Sequence, residues 1–336
     1  HGSHSSHGSH GSHGSHGSHS SHTSHSSHTS HASSCPFIVL WNGEEFVLEN
    51  NIIPQSERSD GEKVEDLYKL EHNPKLEDEN YKIRISEFEQ ERSEFEGFEL
   101  IRVSHPKDTE IGVIDNKIVG YKKVADPRKV VVEGEEVPKD KEIKRNEGQD
   151  AEIFLSDDEF DFFVSKTALR TGDRRLKKAR DMFAKTDDLA DITKKILIAS
   201  ILGASEASAY VVKYSIYYYN LTQEGKEVEL GVSHPRENFS THLLDTSKLD
   251  NNKLTLKWTE THKMIPVGTA KRIDDESLKI EKVTPKEITH SKEGKVDENL
   301  VLEPGELLTL KFPNFKEEKE LKTTFLLRSR GYYEQI

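Results

Sequence analysis

The sequence predicts a mainly β protein with a helical insert, an α+β chain of sandwich-like β-domains behind an extended low-complexity N-terminal tail. Three observations carry that expectation. Short β-prone runs recur between turn signals along most of the chain. One stretch, 156–203, departs from them with helical spacing and capping residues. Residues 1–33 repeat every three residues and hold nothing more apolar than Ala32. The organisation that follows is a tail over 1–34, a β-domain over 35–150, a helical insert over 151–204 and a second β-domain over 205–336.

The tail is eleven uninterrupted His-x-Ser triplets, with a small residue always in the middle. Its histidines are His1, His4, His7, His10, His13, His16, His19, His22, His25, His28 and His31, eleven of the 17 in the protein. A repeat of this composition cannot bury a core. Along an α-helix the triplets drift by about 60° each, so the histidines spiral round the axis. In a polyproline-II helix, three residues make one turn of about 9 Å, and every histidine falls on one edge. The composition admits a flexible linker, a packing element between subunits, or an artificial tag, although a tag usually has contiguous histidines. It also admits metal capture, because neutral imidazole suits Zn, Cu and Ni. A site needs three or four converging ligands, so two or more tails side by side would form it more easily than one.

The body opens with Phe37–Trp41, Asn42-Gly43 and Glu44–Leu48, the pattern of a β-hairpin. Residues 54–66 read as a loop. Tyr81–Ile85 alternates as a half-buried strand, and Phe98–Val103 is another, stopped by Ser104-His105-Pro106. Asp115-Asn116 lies between Ile111–Val113 and Ile118–Tyr121 and predicts a second hairpin. Val130–Val132 is a short strand, and the charged stretch 133–150 reads as a connection. Ser156 with Glu159 forms a capping box that opens a helix over 157–170. Further helices are expected over 173–185 and 186–202, the last closed by Gly203. Strands return over 209–219, 254–258, 307–312 and 323–328. Val103-Ser104-His105-Pro106 is echoed by Val232-Ser233-His234-Pro235, a hint of internal duplication.

Several motifs also resemble an uncharacterised β-rich module of secreted and cell-surface proteins of prokaryotes. They are Cys35-Pro36-Phe37, Trp41-Asn42-Gly43, Phe46-Val47, Tyr68-Lys69-Leu70, Leu100–Pro106 and, near the end, Arg330-Gly331-Tyr332-Tyr333. The likeness covers scattered parts of 35–120 and 300–333. It implies a β-rich fold and an extracellular location, and it brings no catalytic site.

Composition narrows the function. With 48 Lys and Arg against 61 Asp and Glu, the chain carries −13, which argues against a general nucleic-acid binder. No apolar run is long enough to span a membrane. The single cysteine, Cys35, excludes an internal disulfide framework and reads as a small apolar residue beside the hairpin. A start at His1 is what a removed signal peptide would leave, and the sequons at Asn220 and Asn238 fit an exported chain.

Catalytic motifs are missing: there is no P-loop, GxGxxG, HExxH or GxSxG. His105 and His234 read as turn formers at strand ends. Asp157, Asp158, Glu159 and Asp161 form an acidic cluster open to a calcium reading, which a helix's first turn already explains. Tyr217-Tyr218-Tyr219 reads as a cross-strand aromatic ladder, with sugar stacking as the rival. The expectation is a non-enzymatic, secreted structural protein, a subunit of an extracellular filament or surface lattice. Its tail would mediate homo-oligomer or polymer contacts. The alternatives are an extracellular metal-binding protein using the repeat as a multisite ligand, and a carbohydrate-binding or enzymatic surface protein.

Overall fold

The structure is a computed structural model and describes residues 36–52, 63–87, 91–145, 150–169, 215–259, 262–298, 300–316 and 320–335. Strands β1 (Phe37–Trp41) and β2 (Phe46–Asn51) form the first expected hairpin. Gly43 takes φ +105 at its tip, and Asn42 Oδ1 accepts from the amides of Glu44 and Glu45, both at 2.9 Å. β3 (Val64–Lys69), β4 (Leu76–Glu77), β5 (Asn80–Ser86) and the 15-residue β6 (Glu91–His105) follow. β7 (Glu110–Ile114) and β8 (Lys117–Ala125) are the second expected hairpin, with Asp115 and Asn116 at φ 48 and 58, as a type I′ turn demands.

The short strand expected at Val130–Val132 is β9 (Lys129–Val132), and the stretch read as a connection contains β10 (Glu135–Val137) and β11 (Ile143–Arg145). Next come β12 (Asp150–Phe154), β13 (Phe162–Leu169), β14 (Ile216–Leu221), β15 (Glu227–Ser233), β16 (Ser240–Asp245), β17 (Lys253–Trp258) and β18 (His262–Arg272). The chain closes with β19 (Lys279–Val283), β20 (Glu287–His290), β21 (Gly294–Lys295), β22 (Leu300–Leu302), β23 (Leu307–Pro313) and β24 (Lys322–Gln335).

These strands make four antiparallel sheets. Sheet A runs β2-β1-β5-β23-β20-β21, with β4 beside β5. Sheet B runs β19-β6-β24-β3, with β22 also on β6. Sheet C runs β16-β13-β18-β8-β7, with β11 also on β18, and sheet D runs β10-β9-β12-β17-β14-β15. Every strand from β7 to β18 lies in C or D, and every strand before or after lies in A or B. One sandwich is therefore inserted into another. The chain leaves the host sandwich after β6 and re-enters at β19, and Ser104 of β6 pairs with Lys279 of β19. Exit and return are neighbours, which lets a whole sandwich be inserted without splitting the host sheet.

Apolar side chains fill three interfaces. Ile83, Leu310 and Phe312 of sheet A meet Leu100 and Leu327 of sheet B in the host core. Phe163 and Met264 of sheet C meet Ile153, Leu256 and Trp258 of sheet D in the insert core. Leu67, Ile101, Val103 and Leu326 on the other face of sheet B meet Ile111 of sheet C. Sheet C also curls back on itself, since its edge strands β7 and β16 lie side by side. Phe162, Val164, Tyr121 and Leu243 fill that curl. Gly268, at φ +135, sits where a Cβ would come within 2.1 Å of the Ala125 carbonyl oxygen, so β18 passes β8 closely only because it lacks a side chain there.

The mainly β, sandwich-like expectation holds, and the helical insert needs correction. The helix expected over 157–170 is a loop followed by strand β13. Ser156 Oγ accepts from the Asp158 amide at 3.0 Å, a local turn bond in place of a helix cap. Phe162–Leu169 is buried at every position but Lys166, because sheet C is covered on both faces. Such a strand loses period-two alternation and imitates a helix in sequence. The helices expected over 173–185 and 186–202 lie outside the described residues. Among those described, the one helical turn is Asp275–Ser277. No helix among them is long and apolar enough to cross a membrane.

Candidate functional site

The two Ser-His-Pro corners occupy matching places. His105 ends β6 of sheet B and His234 follows β15 of sheet D, and each corner turns the chain into an edge strand of sheet C. His105 is buried, with Nδ1 2.9 Å from Thr109 Oγ1 and Nε2 2.9 Å from Thr324 Oγ1. Burial holds its pKa below the ordinary value. This geometry is that of a turn former. His234 Nδ1 lies 3.2 Å from Ser215 Oγ.

After the second corner, residues 236–238 dock on the edge of the host sandwich. Arg236 Nε donates to the Asn51 carbonyl at 2.7 Å, and its guanidinium lies 4.8 Å over the Tyr68 ring. The Glu237 amide donates to Asn51 Oδ1 at 3.1 Å. Asn50 grips the Asn238 backbone in both directions: Oδ1 accepts from its amide and Nδ2 donates to its carbonyl, each at 3.0 Å. Beside this lock, Glu49, 1% exposed, accepts from the Glu71 amide and lies 2.7 Å from His72 Nδ1. That hydrogen bond raises the His72 pKa, against the opposing effect of desolvation. Glu71 in turn accepts from the Thr241 amide at 2.7 Å.

A cleft of about 800 Å³ opens next to the lock, between β3 and β7 on one side and β15 and β16 on the other. Its polar end holds Arg236, 4% exposed. Nη2 of this arginine is buried and has no hydrogen-bond partner among the described residues. Burial lowers the Arg236 pKa, and the nearby Tyr68, Glu49, Glu71 and Asp66 oppose that shift. His242 also lines the cleft and is pushed down to about 3, first by desolvation and then by His234 and Arg236. It is neutral near pH 7. Half-buried Leu230, Val232 and Ile114 add an apolar wall.

The other sequence candidates are spread apart. Cys35 and the histidines from His1 to His31 lie outside the described residues, and no cluster of three or more metal-ligating side chains occurs among those described. The acidic group disperses to separate partners. Asp157 pairs with Arg128 at 2.7 Å, Glu159 pairs with Lys271 at 2.8 Å, and Asp161 accepts from the Arg272 amide at 2.8 Å.

Tyr218 is buried with its hydroxyl near Ser165 and Ser233. Tyr217 and Tyr219 stack along one strand at 6.4 Å, and their cross-strand neighbours are Val232, Lys257, Glu229 and Thr255, so the expected cross-strand aromatic ladder is absent there. Both sequon amides are engaged: Asn220 Nδ2 donates to the Lys253 carbonyl at 2.8 Å, and Asn238 Nδ2 donates to the Glu49 carbonyl at 3.4 Å. Sequence reasoning missed Arg236 altogether. Its only local signal was its place after a His-Pro corner.

Searches against protein families, curated proteins and solved structures each return no match.

Proposed function

We propose that this chain is a secreted structural protein, a subunit of an extracellular filament or surface lattice, with the double sandwich as its body and the His-x-Ser tail as the contact between subunits. The observation that supports it best is the lock between the sandwiches. A filament or lattice subunit that carries tension must not hinge between its halves. Here two chain crossings, an apolar interface and the Asn50, Asn51 and Arg236 bonds tie them. The reading contains no catalytic step. The tail adds a repeating imidazole edge suited to neighbour contacts, either by hydrogen bonds or through shared Zn, Cu or Ni.

The test is light scattering and electron microscopy of the full chain and of a variant lacking 1–34, at pH 8 and pH 5, with and without a chelator. The expected result is assembly of the full chain at pH 8 and none of the shortened one. Protonation near pH 6.5 should dissolve the assembly, because imidazoliums repel and release metal. Loss on adding chelator assigns the contact to metal. Equal assembly by both chains sinks the proposal.

A further inference from the structure

We propose that the cleft between the two sandwiches is a binding site for a neutral oligosaccharide. The site is built, because its lining includes Arg236, 4% exposed, whose Nη2 is buried and has no partner among the described residues. A buried donor of this kind calls for an acceptor. An anion is the obvious candidate, but the surroundings disfavour it. Glu49, Glu71 and Asp66 already lie in the field of Arg236, so a further negative charge would meet more repulsion than attraction. The acceptor that fits is uncharged.

A sugar hydroxyl accepts from Arg236 Nη2 and can donate to a carboxylate beside it. Thr241 and His242 supply further neutral donors and acceptors along the cleft. The wall at Leu230 and Val232 suits the C–H faces of pyranose rings. A volume of about 800 Å³ lies within the range of small-molecule sites. Tyr217 and Tyr219 offer a rival stacking platform on the same chain, but no buried unpaired donor adjoins them in the described structure.

The experiment titrates maltotetraose, cellotetraose, chitotetraose and mannotetraose into the full chain, followed by calorimetry and protein NMR. At least one should bind with a dissociation constant below about 1 mM. Arg236→Gln should weaken it about tenfold or more by removing the charged donor. Because Arg236 also serves the lock, Thr241→Trp provides the independent variant. It fills the cleft and leaves the 241 backbone amide on Glu71 intact, and it should abolish binding without changing the circular dichroism. Tyr219→Ala should leave binding unchanged. The proposal is overturned if none of the four binds at about 10 mM, or if binding survives Thr241→Trp. It is equally overturned if it is lost in Tyr219→Ala, or if only galacturonate oligomers or peptides bind. None of these outcomes depends on the tail, so the assembly reading stands or falls separately.

Discussion

The host and inserted sandwiches have similar layers but opposite chain logic. The host is made from the two ends of the described chain. Its longest pair joins β6 to β24, and Leu100 meets Leu327 across more than two hundred residues. The insert is one continuous stretch from β7 to β18. Closing a long loop before any contact rewards it is slow, so the insert has the kinetic advantage and the host must wait for its C-terminal strands. The difference teaches that continuity in sequence and dominance in architecture are separate properties. The region that frames the fold is the one least able to form early.

The protein has two tryptophans, and they report on the two sandwiches separately. Trp41 lies in β1 of sheet A and Trp258 in β17 of sheet D. Single-tryptophan variants therefore follow each half during denaturant unfolding. Leu310→Ala in the host core and Leu256→Ala in the insert core should each cost about 2–5 kcal/mol. Both leucines are fully buried. Because sheets B and C share the Leu67, Ile101, Val103 and Ile111 interface, either change should lower the midpoints of both reporters. A shift confined to the mutated half would show that the sandwiches unfold independently.

Legibility in the sequence followed the same division by exposure. Asn42-Gly43 and Asp115-Asn116 were readable because turn geometry is local and those residues tolerate it. Tyr81–Ile85 was readable because polar Lys82 and Arg84 alternate with Tyr81, Ile83 and Ile85, although Arg84 is itself buried and only Lys82 is half-buried. Phe162–Leu169 misled because it is buried on both sides and follows a serine with an acid three residues on. Strands β10 and β11 were hidden by charge, since they are short and at sheet margins. The cleft was illegible for a different reason. Arg236, Tyr68 and Glu71 come together only through the insertion, and no spacing along the chain encodes that meeting.

The two halves should also differ in acid. His262 of β18 is buried and pushed down to about 4 by desolvation, and His242 of β16 to about 3. An unfolded histidine titrates near 6.5. Between pH 6.5 and 4 the unfolded state therefore takes up protons that the folded insert refuses, and stability falls as pH falls. The expected slope is about 1.4 kcal/mol per pH unit for each histidine. His105 acts in the same direction in the host, with its pKa lowered by burial. The Trp258 reporter should lose midpoint between pH 7 and 5 in the wild type. His262→Gln, compared across the same range, should remove about half of that slope. An unchanged slope in His262→Gln would mean that this histidine is already protonated in the folded protein.

The smallest expected effect tests the lock itself. Asn50→Ala removes one donor and one acceptor from the Asn238 backbone and leaves those two main-chain groups to water or to nothing. The cost should be about 1–2 kcal/mol, less than a core truncation but aimed at the coupling between halves. The apolar interface between sheets B and C persists, so both sandwiches should stay folded while their transitions move apart. The pH dependence of the host pair beside this lock has a sign opposite to that of the insert. The raised pKa of His72, with Glu49 as its partner, means that its contribution is complete below 6.5 and is lost as pH rises through the raised value. His72 is largely exposed, so the change should be small and screened by salt. In the wild type, raising pH from 6 to 8 should lower the Trp41 midpoint slightly, because His72 and Glu49 both belong to the host, and His72→Gln should abolish that fall. If Asn50→Ala leaves the two midpoints coincident at every pH, the apolar interface alone couples the sandwiches and the polar lock serves only to shape the cleft.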